Sequence, residues 1–180
     1  IGVNTYSAMD IGDSGSKVFA VNSDLDNEIE QYNLSTPWDL STGSPASKSF
    51  SVDAEESGFV DGLFFHPDGD KAYLVGGNST VYQYAFLTAC DASTGSYDSK
   101  SISVSGAGAN ISGLFFSSNG LKMFVTSRTA ATVSQYTLSV AWDVSTATID
   151  SINYDFSTQS TNNYALAFSV NGSNLYLLDL

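Results

Sequence analysis

Ser14 is the first residue whose surroundings suggest chemistry, because it lies in the tetrapeptide Gly-Asp-Ser-Gly at residues 12–15. A serine nucleophile needs a base within hydrogen-bond reach and a third group that orients the base. The chain has one histidine, His66, far from Ser14 in sequence. The tetrapeptide could therefore support acyl transfer only if the fold brought these two side chains together.

An internal repeat gives the tetrapeptide another role. Turn glycines recur at positions 15, 69, 120 and 172. This alignment places Gly-Asp-Ser-Gly, which resembles the segment around the nucleophile of trypsin-like proteases, at the turn that contains His66 in the next repeat. Glycine and aspartate supply the backbone conformations that a tight reversal needs. We therefore expect a turn with no catalytic residue, and we expect His66 to face solvent.

Acidic side chains are concentrated in two loops that a repeat fold would place on one face of the molecule. Oxygen-rich loops suit Ca²⁺, which takes six to eight oxygen ligands. The segment from residue 24 to 28 lacks the glycine and the terminal glutamate of an EF-hand loop, so a solvated acidic face is the favoured interpretation. No other cofactor is expected. The candidate calcium ligands are Asp24, Asp26, Glu28, Asp53, Glu55 and Glu56.

Five of the six basic residues occupy repeat-equivalent positions. A phosphate-binding ring is one interpretation, but pairing with nearby acids is favoured, and such exposed pairs contribute about 0–1 kcal/mol each. These residues are Lys17, Lys71 and Lys122 after the turns, and Lys48 and Lys100 in the predicted fourth strands.

Three further loops repeat an aspartate that is followed, one residue later, by Ser-Thr. The aspartate can accept hydrogen bonds from the following backbone amides, and a tryptophan before it can cover the edge of a sheet. The pairs are Trp38-Asp39, Cys90-Asp91 and Trp142-Asp143, spaced 52 and 52 residues apart.

Each repeat of about 52 residues contains four short segments typical of strands. In the second repeat, Gly62 to Phe65 is a continuous apolar run, as expected for a strand buried on both faces. A turn at 66–70, a strand at 71–75 and a β-branched, aromatic strand at 80–86 follow, and the fourth strand lies at about 97–104. Four strands in about fifty residues indicate a β-propeller blade.

The hairpin and third strand of each repeat resemble the YVTN-type repeat of the seven-bladed β-propeller superfamily, which includes surface-layer, NHL-type and lactonase-like propellers. In the second repeat the likeness lies in PDGDKAYLV and STVYQY. The fold class is therefore all-β, with propeller blades of four antiparallel strands. We predict a single partial propeller domain over 1–180, with repeats at about 6–57, 58–109 and 110–161 and a half repeat at 162–180.

The resemblance also indicates where a ligand would bind, at the mouth of the central channel. The equivalent positions there are Ser7, Asp61, Ser112 and Tyr164, which would make a poor metal cage. Asp10 stands where Phe64 and Phe115 stand in the other innermost strands. A buried carboxylate is costly unless it is paired, so we expect Asp10 to lie on an exposed edge.

Composition narrows the possible partners. The formal net charge of −13 disfavours nucleic acid and anionic membranes, and no apolar run is long enough to span a bilayer.

The single cysteine forms no intrachain disulfide, and the absence of an initiator methionine suggests a processed chain or a fragment. Asn-x-Ser/Thr sequons at Asn33, Asn78, Asn110 and Asn171 permit glycosylation in a secreted protein.

Three functions fit these observations. The favoured hypothesis is a non-enzymatic recognition or adhesion module of a secreted, cell-surface or virion protein, binding a glycan or a protein. The alternatives are a structural repeat protein of an extracellular layer, filament or phage tail, and a lactonase-like metal-dependent hydrolase. Because three and a half repeats do not close a ring, we expect further propeller blades or another chain at both terminal edges.

Overall fold

The computed structural model describes residues 5–23, 27–160 and 162–179. Fourteen strands lie within these ranges, joined by tight turns and by short 3₁₀ segments. The strands are β1 (Tyr6–Gly12), β2 (Lys17–Asn22), β3 (Glu28–Leu34), β4 (Gly43–Ser51), β5 (Val60–Phe65), β6 (Lys71–Gly76), β7 (Thr80–Phe86), β8 (Gly95–Ser103), β9 (Ile111–Phe116), β10 (Lys122–Ser127), β11 (Thr132–Leu138), β12 (Ala147–Asp155), β13 (Asn163–Phe168) and β14 (Leu175–Asp179).

These strands form three four-stranded antiparallel sheets and one two-stranded sheet, which confirms the predicted all-β fold of propeller blades. Blade one consists of β1 to β4, blade two of β5 to β8 and blade three of β9 to β12, each in sequential order, while β13 and β14 make a half blade. The described part of the chain contains no helix long and apolar enough to cross a membrane.

The innermost strands β1, β5, β9 and β13 lie side by side along the molecule. Glycines allow two of these approaches. A Cβ atom on Gly62 would lie 3.1 Å from the amide nitrogen of Leu114, and one on Gly113 would lie 3.1 Å from that of Leu166. Larger residues would push neighbouring blades apart, so the repeated Gly-Leu-Phe-Phe run is required by the packing of strands around the axis.

The hydrophobic core lies between consecutive blades. We call the side of a blade that contacts the following blade its front face, and the opposite side its rear face. Phe19 of blade one stacks on Phe65 of blade two with ring centroids 3.8 Å apart, and Tyr73 of blade two packs on Phe116 of blade three at 4.4 Å. These contacts bury the aromatic residues that end the inner strands, Phe65 and Phe116, against the second strand of the preceding blade.

The three loops that contain the repeated aspartates act as lids over the turn glycines, so we call residues 38–42, 90–94 and 142–146 the lid loops. The amides of Trp38, Cys90 and Trp142 donate to the carbonyl oxygens of the turn glycines at 2.9, 2.9 and 3.0 Å. Each aspartate accepts from the amide two residues later, at 3.0, 3.2 and 3.1 Å, which confirms the predicted caps of Asp39, Asp91 and Asp143.

The Gly-Asp-Ser-Gly tetrapeptide forms the turn between β1 and β2. Its residues Asp13 and Ser14 have φ angles of 50° and 53°, and the Ser14 side chain is exposed. No hydrogen bond joins Ser14 to His66 in the described part of the chain. The expectation that His66 faces solvent is wrong, because its ring lies edge-on against Trp142 at 4.4 Å and its Nδ1 lies 2.8 Å from Asp70.

The expectation that Asp10 lies on an exposed edge is also wrong. Its side chain is on the front face of blade one, where blade two covers it. The two carboxylate oxygens accept hydrogen bonds from the amides of Ile11 and Phe65, each at 2.7 Å. Burial raises the pKa of the Asp10 carboxyl, and the two amide donors offset part of this rise. The sequence alignment identified the position but not the face on which the side chain would lie.

Both ends of the blade series are open in the described residues. The rear face of blade one exposes Met9 and Trp38, and the outer edge of β14 pairs with no strand and exposes Tyr176 and Leu178. Open apolar edges of this kind invite pairing with another chain or blade. The identity of what covers them, and the repeat boundaries proposed from sequence, stay predictions.

Candidate functional site

The four residues predicted at the channel mouth occupy one structural position. Each is the second residue of its innermost strand and is skipped in the pairing with the neighbouring strand, so each is the extra residue of a β-bulge. A bulge turns a side chain out of the regular alternation of a strand, and bulges are over-represented next to functional sites. The bulge residues are Ser7, Asp61, Ser112 and Tyr164.

These four side chains line the same open cavity, of about 800 Å³. Its floor is formed by the small and apolar residues that follow them in the inner strands, including Ala8, Gly62 and Gly113. Tyr6 and Tyr32 border the side formed by blade one. A volume of this size accommodates a small organic ligand, and the combination of apolar walls with a few converging polar groups is typical of binding sites. We call this site the channel mouth.

Arg128 is the central polar group of the channel mouth, and it connects three blades. It belongs to blade three, and its Nη2 atom donates to Oδ1 of Asp61 in blade two at 3.0 Å. Its Nε donates to the carbonyl oxygen of Asn163 in the half blade at 3.2 Å, while its guanidinium carbon lies 4.2 Å from the ring centroid of Tyr164. The planar guanidinium serves these three contacts at once, which a lysine ammonium could not do.

The serine hydroxyls of the channel mouth are also held in place. Ser112 is buried and donates from Oγ to the carbonyl oxygen of Asn163 at 2.9 Å. Ser7 lies at the more open end, where its hydroxyl is 2.6 Å from that of Ser23. The Ser7–Ser23 pair is exposed, so its lone pairs and protons face solvent or a ligand.

Asp61 is half-buried, and its charge depends on two opposing effects. Burial raises the pKa of the Asp61 carboxyl, and the Arg128 guanidinium lowers it by a smaller amount, so the pKa remains above its ordinary value. The ion pair therefore weakens as the pH falls through this raised pKa, when Asp61 takes up a proton. Among the residues that the structure describes, the rim of the channel mouth thus contains one cation, one acid and several hydroxyl groups.

Sequence reasoning did not identify Arg128, although a signal was present. Arg128 is the one basic residue that falls outside the lysine repeat, and it is the only arginine in the chain. Counting from the repeated lysines Lys17, Lys71 and Lys122, its equivalents are Ser23 and Gly77 at the ends of the second strands. A charge that breaks an otherwise regular repeat points to a special environment at that blade.

The acidic loops are brought together only in part. Glu56 is fully buried, and its carboxylate accepts from the amides of Gly58 at 3.0 Å and Asn78 at 3.1 Å. Glu55 accepts from the Tyr84 hydroxyl at 3.3 Å, and Asp53 is exposed. Burial raises the pKa of the Glu56 carboxyl, and the Asp61 charge adds to the rise. Glu56 therefore stabilises the loop before β5.

The remaining candidate calcium ligands are Glu28, at the start of β3, and Asp24 and Asp26, which lie outside the described residues. Within the described ranges, no three His, Cys, Asp or Glu side chains cluster as metal ligands would. Calcium binding at these loops therefore stays a prediction from the sequence, and it depends on Asp24 and Asp26.

The repeated lysines form ion pairs of three kinds. Lys17 and Lys71 pair with acids of their own turns, Asp13 and Asp70. Lys122 pairs with Asp150 in the fourth strand of its own blade, at 3.2 Å. Lys48 and Lys100 instead cross to the lid loop of the following blade, where their Nζ atoms lie 2.6 Å from Asp91 and 2.9 Å from Asp143. The lysine repeat is therefore part of the blade architecture, as the sequence indicated.

Comparison with known proteins shows likeness in fold but not in sequence. No family model matches the chain, and no curated protein matches it in sequence. Among solved structures, a protein from Lactobacillus plantarum gives a TM-score of 0.68 at 15% identity, covering 98% of this chain and 48% of that one. A protein of unknown function from Desulfotomaculum acetoxidans gives 0.62 at 16% identity, with coverages of 99% and 50%.

A candidate 6-phosphogluconolactonase from Bacteroides fragilis gives a TM-score of 0.61 at 16% identity, covering 98% of this chain and 48% of that one. The chain thus spans about half the length of the solved structures that it resembles. At these identities the likeness shows the propeller-like fold alone. The residues of the channel mouth are therefore the basis for a proposal about function.

Proposed function

We propose that the chain belongs to a non-enzymatic recognition propeller with YVTN-type repeats, which binds a polar ligand at the channel mouth. The observation that carries the proposal is the convergence of four bulge residues and Arg128 around one cavity. Bulges place Ser7, Asp61, Ser112 and Tyr164 at the same height in four consecutive inner strands. Together with Arg128 they line one cavity, and this shared lining supports a ligand site there.

The chemistry of the rim favours a neutral, hydroxyl-rich ligand such as a glycan. Arg128 offers N–H donors, Asp61 offers acceptor oxygens, and serine and tyrosine hydroxyls act as both. Because Arg128 and Asp61 compensate each other, the rim has little net charge, while the whole chain is strongly acidic. An anionic ligand would be repelled by the surrounding charge, whereas a sugar can use the donors and acceptors together.

The proposed setting is a secreted, cell-surface or virion protein. Supporting features are the low lysine content, the abundance of serine, threonine and asparagine, and the exposure of the sequon residues Asn33, Asn78, Asn110 and Asn171. The same ligand site could serve adhesion in each of these settings, and a protein ligand would use the same donors and acceptors at the rim.

A glycan array with the purified protein tests the proposal. We expect hits for the wild type that fall at least tenfold in the Tyr164→Ala variant, because the ring lines the cavity and supports Arg128. Tyr154→Ala is the matched control, since this exposed tyrosine of β12 lies outside the channel mouth and its removal should leave binding unchanged. Binding that survives Tyr164→Ala and Asp61→Asn together would place the ligand elsewhere, and a blank array would refute the glycan proposal.

Lactone hydrolysis is a second candidate, favoured by the candidate 6-phosphogluconolactonases among the structural neighbours. Among the described residues that line the channel mouth, the charged ones are Asp61 and Arg128. Incubation with 6-phosphogluconolactone, followed by titration of the released acid, distinguishes the two functions. Hydrolysis above the spontaneous rate that disappears in Asp61→Asn would support the enzyme, and hydrolysis unaffected by that change would exclude the channel mouth as its site.

A further inference from the structure

The contacts between consecutive blades follow one pattern that occurs twice. The glutamine of each third strand accepts a hydrogen bond from the next lid loop: Gln31 Oε1 accepts from the Ala92 amide at 2.9 Å, and Gln83 Oε1 accepts from the Val144 amide at 3.1 Å. The lysine of each fourth strand pairs with the aspartate of the same lid loop. We call this set of contacts the lid latch.

The lid latch also has an apolar part. In blade three, Trp142 lies against His66, with ring centroids 4.4 Å apart, and stacks on Phe64 at 6.1 Å, both in blade two. Its Val144 is fully buried, as is the equivalent Ala92 of blade two. The lid loops of blades two and three thus bind the preceding blade through a thiol or an indole, a buried side chain, an amide and a carboxylate.

Blade one has the same kind of lid loop, but no described residue of another blade packs against it. Trp38 is 69% exposed and Leu40 is 64% exposed, whereas Ala92 and Val144, the equivalents of Leu40, are 0% exposed. No lysine or arginine of the described ranges lies within ion-pair distance of Asp39, and no described glutamine oxygen lies opposite the Leu40 amide. The local fold of the loop is nevertheless intact, because Asp39 caps Ser41 as in the other blades.

The rear face of blade one combines the exposed apolar side chains of Met9 and Trp38 with a polar cluster whose groups are paired, so it can be covered. Tyr6 and Tyr32 of this face also border the channel mouth, so a docked blade would form a wall of that cavity. Glu30 accepts from the hydroxyls of Tyr6 and Tyr32 at 2.8 and 2.9 Å and from the side-chain amide of Asn22 at 2.9 Å. A carboxylate with three donors can be desolvated at a smaller cost than a bare one. The acids Glu28, Glu30 and Asp39 also make this face negative, so it favours a partner that brings lysine.

We propose that the rear face of blade one is a docking surface for a further four-stranded blade of this repeat type, with glutamine in its third strand and lysine in its fourth. The side-chain oxygen of the glutamine would accept a hydrogen bond from the Leu40 amide, and the lysine would pair with Asp39. The end of the inner strand of the added blade would cover Trp38. Docking would repeat a lid latch that the chain already forms twice.

A second copy of this chain does not supply these groups. Lys48 and Lys100 are engaged by Asp91 and Asp143 within their own chain. Blade three offers Gln135 but has Ile152 where blades one and two have lysine, and its front face contacts β13. The partner blade is therefore formed by residues other than these 180, which accords with the chain spanning about half the length of its structural neighbours.

An extended protein tests the docking surface. Residues 58–105, a copy of blade two, are placed directly before Ile1. This leaves five residues before β1, the same number that lies between residue 105 and β9. We expect at least tenfold slower hydrogen exchange of the Leu40 amide and a blue shift of Trp38 fluorescence, measured in a Trp142→Phe background. A second extended protein carries residues 6–53 instead, which supply Gln31 and Lys48.

The matched controls change only the latch. Replacing Gln83 and Lys100 by alanine in the added copy, or replacing Asp39 by asparagine, should restore most of the fast exchange at Leu40 while the strands of the added blade stay protected. If neither added blade folds, or if they fold and leave the Leu40 amide and Trp38 as exposed as before, the proposal is wrong. Protection that persists in the alanine variant would also overturn the assigned glutamine and lysine contacts.

Discussion

At the scale of single residues, Arg128 has the most consequences in this molecule. One guanidinium joins an acid of blade two, a backbone carbonyl of the half blade and a tyrosine ring, and it does so at the candidate ligand site. The side chain therefore has a stabilising role and a positioning role. A lysine in its place would keep the positive charge but not the planar shape, so variants can separate the stabilising role from the positioning role.

We predict that Arg128→Ala lowers the free energy of unfolding by about 1–3 kcal/mol, since Asp61 then loses its charged partner in a half-buried site. Arg128→Lys should lower the free energy of unfolding by less than Arg128→Ala, because an ammonium keeps the charge but loses the planar set of donors and the stacking on Tyr164. Urea unfolding at pH 7 measures both. Lys17→Ala, which removes a more exposed pair, should cost about 0–1 kcal/mol, and an equal loss in that control would contradict the special role of Arg128.

Asp10 gives a prediction about pH. Its pKa is raised in the folded state, so the folded protein binds the proton more tightly than the unfolded chain does. Asp10 therefore costs nothing below its ordinary pKa near 4, and its cost grows as the pH rises through the raised pKa. The stability of Asp10→Asn relative to the wild type should increase between about pH 3.5 and pH 7 in urea unfolding experiments.

Asp143 should affect stability with the opposite pH dependence. Hydrogen bonds from Ser145 and Lys100 lower the pKa of the Asp143 carboxyl despite the opposing effect of burial. Its stabilisation is present above the ordinary pKa and is lost as the pH falls through the lowered value. Asp143→Asn should therefore be most destabilising near pH 7 and least near pH 3. If both variants gained relative stability with rising pH, the assignment of Asp143 would be wrong, and if both lost it, the assignment of Asp10 would be wrong.

At the scale of elements, the lid loops explain the repeated turn glycines. A Cβ atom on Gly120 would lie 2.4 Å from the indole of Trp142, and the residue has a φ of +68°. Gly172 has a similar φ of +70°, but nothing lies within 4 Å of its Cβ position. Both glycines therefore adopt a left-handed backbone conformation, but only Gly120 is covered by a lid loop.

This difference predicts unequal effects of alanine at the two turns. Gly172→Ala should cost about 1–2 kcal/mol, from the left-handed backbone conformation alone. Gly120→Ala should cost that amount plus about 1–3 kcal/mol, because Trp142 has to move. Thermal or urea unfolding of the two variants gives the comparison. Equal losses would mean that Trp142 relocates freely and that the lid contributes little to stability.

At the scale of the whole molecule, the described residues form three four-stranded blades and a half blade joined by repeated interfaces. Its charge of −13 is spread over a surface with few lysines, and two of those lysines are used to join blades. The sequence also concentrates acids at residues 24–28 and 53–56, and a divalent cation could relieve their repulsion if the fold brings them together.

We predict that millimolar Ca²⁺ raises the melting temperature if these loops bind it, because a ligand that binds only the folded state stabilises that state by mass action. Differential scanning calorimetry with Ca²⁺ and with Mg²⁺ measures the shift. Replacing Asp24, Asp26, Asp53 and Glu55 together by their amides should abolish it, whereas Glu56→Gln should lower stability with and without calcium. No shift in the wild type would remove the site.

The sequence by itself determined the blade. Turn glycines, apolar inner runs and capping aspartates act over a few residues, so their spacing predicts four strands per repeat. It also predicts Ser7, Asp61, Ser112 and Tyr164 as one equivalent set, although not that each lies at a bulge. Repetition strengthened this prediction, because a pattern that occurs three times at one period is hard to produce by chance.

Only the tertiary structure decided what each position faces. Asp10 was predicted to be exposed but lies against blade two, and His66 lies beneath Trp142, because the packing of one blade on the next selects the face of each strand that is buried. Arg128 acts through residues 67 positions before it and 35 after it. Contacts of that range depend on how the blades are arranged around the axis, and no local pattern specifies them.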